Sequence, residues 1–356
     1  MDFQTPTRIE PVPFEGLRPA GSPPVTVAPL PPSGMTEPLA PRPASPPPPA
    51  PSPGPPPATG PEAQPPAKKK KRRKLRWLWR TLAVLLAPVL VLQILAFAIA
   101  AGFTPSRTAY MLQSRHGVIY EYVGLDHISR FMVAATIAHE DQQLGSRAGA
   151  FDWEDLMARA EAYRRGEPDP SGSTIPQQLL KNMFLWEERE NPTAIRKALE
   201  AGLSTQYSYT LSDQRMLELY LNYAQFGPGL YGICAASWYY FDTPPWAMYE
   251  YNAWQLQGVL PLPDLVRRAP HGGIDLGPDA HPAVKNLVNG AANVWLARQL
   301  EGMGGMKAAI ATVGITDMAS DHAAQRGKDS CSTMPQSVRD RLDAEAINPP
   351  APAPVD

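Results

Sequence analysis

Gly172-Ser173-Thr174-Ile175-Pro176-Gln177-Gln178-Leu179-Leu180-Lys181-Asn182 reads as a helix entered through a cap. Ser173 or Thr174 caps a helix running from 174 to about 187. Pro176 then falls in the first turn, where its missing amide proton costs little. Four residues make nearly one turn, so Gln177 stacks over Lys181 and Gln178 over Asn182, with Leu179, Leu180 and Met183 opposite. Amides and a cation beside a capped helix start can bind phosphate oxygens, although the same row also describes an ordinary wet face. Outward from this stretch, apolar residues recur at three- and four-residue intervals, which predicts a mainly α domain. Asp126 can cap a helix carrying Ile128, Phe131, Met132, Ala135 and Ile137 toward His139-Glu140-Asp141. Further helices are expected from Trp153 to about Arg165, and over 192–207, 211–225, 230–241 and 246–259. Strand signals near 117–123 are weak.

Several residues outside the opening stretch carry chemistry. Glu140-Asp141 places two carboxylates at a helix-to-loop junction: either a solvated acidic pair, or a partly desolvated carboxylate suited to general-base work. His139-Glu140 does not make a zinc helix, because position 143, where a second His belongs, holds Gln143. Arg196 and Glu200 share a helix face beside Lys197, a pattern that also fits a routine surface ion pair. Glu218-Leu219-Tyr220-Leu221-Asn222 leads into Phe226-Gly227-Pro228-Gly229-Leu230-Tyr231-Gly232, read as a Gly-rich turn between helices. Leu260-Pro261-Leu262-Pro263 closes the patterned region.

The order and spacing of these groups resemble the five motifs of the peptidoglycan glycosyltransferases, glycosyltransferase family 51, over roughly residues 105–270. Met111-Leu112 and Phe151-Asp152-Trp153 also look like that family. The chain resembles the monofunctional biosynthetic peptidoglycan transglycosylases; no lysine has a serine three residues before it, as the penicillin-binding relatives' second domain requires. The resemblance implies a helical, lysozyme-like fold and polymerisation of lipid II into β-1,4 glycan strands with inversion. It implies that Glu140 is the general base, and that Lys181, Arg196 and Lys197 meet the diphosphates. Glu200 is implied as the second catalytic glutamate, positioning those groups or a divalent cation, magnesium or manganese. Asp141, Ser173, Thr174, Gln177, Gln178, Asn182 and Asn222 are implied as substrate-binding residues. Departures from the family pattern are Leu144 for Phe and Arg147 for His in the first motif, and Pro176 for the last Thr of Gly-Gly-Ser-Thr-x-Thr.

Composition adds a topology. The 356 residues include 43 prolines and carry a formal net charge of −1. Residues 1–67 hold 24 of those prolines and read as a disordered tail, a spacer or a docking tail for a Pro-reading partner; the family resemblance implies cell-wall synthesis or division proteins as such partners. Residues 68–80 form a basic juxtamembrane run without an acidic side chain, and the rest of the chain is acidic. Residues 81–103 read as a transmembrane helix, with Leu82 to Phe103 free of charge, Trp77 and Trp79 as interfacial aromatics, and the amino terminus cytoplasmic. That topology predicts a single-pass protein with its 104–270 domain outside, which the family resemblance implies is an inner-membrane protein with a periplasmic domain. A nucleic-acid partner is excluded because the basic charge is confined to one short run. Residues 271–319 are expected as a helical extension (helices at 283–300 and 306–313), and 320–356 as a disordered tail. Cys234 and Cys331 either pair in an oxidising periplasm or stay free. Two other functions fit part of this reading: a lytic, glycan-cleaving enzyme using one acidic residue, and a catalytically decayed membrane scaffold acting through its tail.

Overall fold

The computed structural model describes residues 69–151, 157–158, 161–162, 164–166, 173–185, 194–317 and 329–347. The tail 1–67 lies outside the described residues, as does most of the expected helix from Trp153 to Arg165. The described part is mainly helical. Helix α1 spans Lys69–Ala100, α2 Arg130–Glu140, α3 Ile175–Phe184, α4 Ala194–Ser208, α5 Asp213–Tyr223, α6 Gly232–Phe241 and α7 Glu250–Val259. Helix α3 packs on α4 and α5, while α2 packs on α7. The core between them is rich in large side chains: Tyr207, Tyr220, Tyr223, Phe226 and Tyr240 are all fully buried.

Helix α1 joins the basic run and the apolar stretch into one element of 32 residues. Its Leu75–Ala100 portion contains an 18-residue window with a mean hydropathy of 2.7 and, at about 1.5 Å per residue, is long and apolar enough to cross a membrane. The helix ends at Ala100, three residues before the expected Phe103. Gly102, at φ +108°, allows the chain to fold back, and Phe103 N–H donates to Ala98 O (2.9 Å) while Gly102 N–H donates to Ile99 O (3.1 Å). Arg215 of α5 completes this end, its guanidinium donating to Ile99 O and Phe103 O, both at 3.0 Å. Most of α1 leaves its apolar surface uncovered, including Leu90 and Phe97. The last two turns pack on the domain through Ala96 and Ile99, and Gln206 donates to Gln93 at 2.8 Å.

Two expectations need correction. Asp126 does not cap α2: it sits in a short 3-10 turn, Leu125–His127, and pairs with His127 Nδ1 at 2.9 Å. The turn ends in extended backbone at Ile128, and α2 starts at Arg130 after Ser129. The Gly-rich segment 226–232 is a hairpin rather than a plain turn. Strands β1 (Ile119–Tyr120), β2 (Gln225–Gly227) and β3 (Leu230–Tyr231) form a small sheet in the order β1-β3-β2. β1 runs parallel to β3 with Ile119 opposite Leu230, and β2 runs antiparallel to it. Two glycines make the hairpin feasible. Gly232 takes φ +80°, and a Cβ there would stand 2.6 Å from Asn222 O; Gly229 takes φ +69°, with a Cβ 2.8 Å from His116 O.

The carboxy-terminal extension is more ordered than polarity suggests. Helix α8 (Pro282–Gly290) runs through a π-helical turn, Ala291–Trp295, into α9 (Leu296–Gly302), followed by α10 (Met306–Ala311). α9 and α10 both pack on α2, and α8 on α7. Within the expected disordered tail, Gln336–Ile347 forms helix α11, packed on α6. Three contacts override its polarity. Cys331 is disulfide-bonded to Cys234, Val338 is fully buried, and Glu345 accepts from Tyr239 Oη at 2.6 Å.

Candidate active site

Glu140 is the last residue of α2 and is half-buried. Gln178, on the first turns of α3, donates from Nε2 to Glu140 Oε2 at 2.8 Å and to Ser173 O at 2.8 Å. Its Oε1 accepts from Tyr220 Oη at 3.1 Å. Both amide hydrogens and the carbonyl of Gln178 are therefore engaged, so the side chain has one orientation. Tyr220 is fully buried; that burial, and then the facing Glu140 carboxylate, push its phenol well above its usual range. It stays a neutral donor, and the three side chains form a fixed cradle with Glu140 at its open edge.

Two elements bring this cradle together. Asp141, next to Glu140, is buried and receives Arg147 in a two-pronged ion pair (2.7 and 2.8 Å) and the Ile175 N–H at 3.2 Å. That ties the end of α2 to the start of α3. The α3 cap completes the tie: Thr174 Oγ1 donates to Ala150 O at 2.9 Å, and Thr174 N–H donates to Gln177 Oε1 at 3.2 Å.

From this cradle a cleft of about 290 Å³ runs between α3 and the Leu260–Leu265 segment, with Gln178, Lys181, Asn182, Tyr220 and Tyr110 among its walls. Lys181 and Asn182, one turn beyond Gln178, line it, whereas Gln177, expected in the same row, does not. The Leu-Pro-Leu-Pro segment forms the facing wall, where Asp264 accepts from Gln225 Nε2 at 2.6 Å. Helix α4, packed on α3, carries Arg196 and Glu200, both buried, and Lys197, which is exposed and stands 3.5 Å from Glu200 Oε2. These charges are not a wet surface pair. Burial of Arg196 and Glu200 makes any charge they meet there felt more strongly than it would be at an exposed surface. Among the described residues no three His, Cys, Asp or Glu side chains converge as metal ligands.

Three residues expected to touch substrate are committed elsewhere. Asn222 is fully buried, donating to Val123 O and Glu218 O (2.8 Å each) and accepting from Val123 N–H at 2.9 Å; it latches the β1 segment to α5. Asp141 is spent on Arg147 and Ile175, and Gln177 is buried in the α3 cap. Ser173 is exposed beside Gln178, and Thr174 faces Ala150. Tyr220, Tyr110, Gln225 and Asp264 are the site residues that spacing alone missed. Tyr220 sits inside the Glu-x-Tyr-Leu-Asn run, where its i−2 and i+2 neighbours carry the polar signal.

Two substitutions probe this division of labour. Asn222→Ala removes partners from two backbone groups of Val123, and is expected to cost about 2–3 kcal/mol in urea unfolding. Gln178→Leu keeps the side-chain volume but frees the Glu140 carboxylate. We expect kcat to fall about 10- to 100-fold with a much smaller change in KM, since positioning rather than affinity is lost.

A family model described as "Transglycosylase" matches residues 109–277. The chain is 36% identical over 198 residues to the biosynthetic peptidoglycan transglycosylase of Pasteurella multocida, covering 53% of this chain and 77% of the relative. It is 35% identical to the protein of the same name from Rhizobium johnstonii, covering 51% of this chain and 74% of that one. The Shewanella amazonensis protein is 33% identical over 243 residues, covering 65% and 90%. The matched segment contains α2 through α7 with the Glu140 cradle and the cleft beside it, so the chain belongs to the biosynthetic peptidoglycan transglycosylases and is a glycosyltransferase.

Proposed function

We propose that the enzyme polymerises lipid II into peptidoglycan glycan strands, with Glu140 as general base. The observation that carries this reading is the Glu140–Gln178–Tyr220 cradle at the head of a cleft walled by Lys181. The sugar 4-hydroxyl of the acceptor attacks the donor's anomeric carbon. Its proton passes to Glu140, the bond from anomeric carbon to phosphate oxygen breaks, and the electron pair leaves with undecaprenyl diphosphate. Attack opposite the leaving group inverts the centre to β-1,4. Lys181, Arg196 and Lys197 offset the charge that develops on the diphosphate, where fixed cations are most effective. Glu200, buried beside Lys197, orients them. Ser173 and Asn182 contact the donor at the cleft, while Asp141, Thr174, Gln177 and Asn222 support the site from behind.

The same reading places α1 across the inner membrane, with the domain on the periplasmic side. Its length and exposed apolar surface support that, as does the Cys234–Cys331 disulfide, a bond that persists in oxidising compartments. A substrate with a long lipid tail needs an active site held at the bilayer. Lipid II and purified sacculi, incubated separately with the full chain, test the proposal: lipid II is converted to polymer and sacculi release nothing. Soluble fragments from sacculi without polymer from lipid II would instead identify a lytic enzyme.

A further inference from the structure

Beyond the main cleft the cavity continues. A notch of about 60 Å³ shares Tyr110, Gln225 and Asp264 with the cleft and opens between Ser114, Arg115 and His116. The Gln225–Asp264 hydrogen bond, 2.6 Å, forms the sill between the two spaces. This rim is built rather than loose. Ser114 Oγ donates to Gly117 O at 2.7 Å, and Ile119 N–H donates to Gly229 O at 2.8 Å. Gly229 lies against His116 with no room for a Cβ. On this rigid loop Arg115 and His116 are both exposed, and among the described residues neither side chain has an ion pair or hydrogen bond.

Cations held on a fixed loop at the end of a substrate cleft, with no internal partner, are available for an anion. The diphosphate is already matched by Lys181 at the cleft and by the charges of α4. A notch of this size admits a few waters' worth of polar atoms, which suits a small side branch and not a further sugar ring. We propose that Arg115 and His116 form a subsite for a carboxylate on the peptide branch of the growing strand, holding it between successive additions. This rests on the polymerase reading above. Arg115 supplies the permanent charge, with its guanidinium fork matched to a carboxylate, and His116 adds a second donor. An exposed contact of this kind slows strand release by about two- to five-fold, and the number of additions per encounter rises in proportion.

The test compares strand length at equal lipid II consumption, using the full chain in detergent micelles and resolving products on a gel. Three proteins are used: the wild type, the Arg115→Ala/His116→Ala variant, and Arg115→Lys. Each is given ordinary lipid II and lipid II whose peptide carboxylates are amidated. We expect the double variant to make strands about two- to five-fold shorter from ordinary lipid II, with Arg115→Lys, which keeps the charge but not the fork, giving an intermediate length. Amidated lipid II should shorten the wild-type product to the same extent and leave the double variant's product unchanged. Equal lengths from wild type and double variant overturn the subsite, as does a variant effect that persists in full on amidated substrate. A wild type that makes no polymer from either substrate overturns the polymerase reading, and the subsite with it.

Discussion

Glu140→Gln is expected to reduce lipid II polymerisation by about 10²- to 10⁴-fold, the range that positioned proton transfer supplies. Glutamine is nearly isosteric, and its carbonyl oxygen can still accept from Gln178 Nε2, so the cradle survives. What is lost is the ability to take a proton from the attacking hydroxyl. The change should therefore appear in kcat, with donor binding and thermal stability close to wild type; a tryptophan-fluorescence unfolding curve measured alongside the assay checks the second point. Substituting its neighbour gives the opposite signature. Asp141→Asn leaves Arg147 facing a neutral partner at the α2–α3 junction, so stability falls along with activity. If Glu140→Gln polymerises at the wild-type rate, the base lies elsewhere and the cradle is structural.

The contrast between Glu140 and Asp141 shows how far a sequence carries such a site. Glu140 is the last helical residue, while Asp141 leaves the helix in extended backbone (φ −162°, ψ 83°), so one stays half-exposed while the other is buried against Arg147. Motif spacing places both at the same junction and does not separate them. The same holds for Gln177 and Gln178: the first closes a cap and the second grips the Glu140 carboxylate, a distinction set by which face of α3 meets α2. The helices were legible because apolar spacing is local. Their partners were not, because the contacts that decide Asn222 and Tyr220 span 99 and 42 residues. The hairpin at 225–231 escaped notice for a related reason. β1 and β2 flank β3 from opposite sides, and only two or three residues of each strand take part.

Arg147 illustrates a departure that the structure makes sense of. It stands where the family pattern has histidine, and its side chain is buried against an equally buried Asp141. A permanent charge with two parallel hydrogen bonds holds the junction together. Pro176 is accommodated in the same manner. It lies in the first turn of α3, where the amide hydrogen has no helical partner to lose, so the missing hydroxyl of the family pattern costs the helix nothing.

Removal of the Cys234–Cys331 disulfide is expected to be the largest single loss of stability available in the described domain. The bond closes a loop of 97 residues, joining α6 at the centre of the core to the segment just before α11. In the chain-entropy account, a loop of about 100 residues corresponds to about 4.7 kcal/mol. For a domain of this size that is a fall in Tm of about 10 °C. Around the bond, Trp238 Nε1 donates to Cys331 O at 2.8 Å, and Arg341 stands 4.6 Å over the Tyr239 ring while bonding Glu345 at 2.7 Å. These contacts depend on α11 being held in place, and they are too few to hold it alone. The Cys234→Ala/Cys331→Ala variant should therefore lose α11 first. Limited proteolysis would cut between 317 and 347 at temperatures where the catalytic domain still resists, and hydrogen exchange over α11 would approach that of a free peptide. Polymerisation at low temperature should survive, since α2, α3 and the cleft are built without α11. A variant with wild-type Tm and a protected α11 would mean that the Arg341–Tyr239–Glu345 contacts suffice, and that the disulfide adds nothing to a helix already docked.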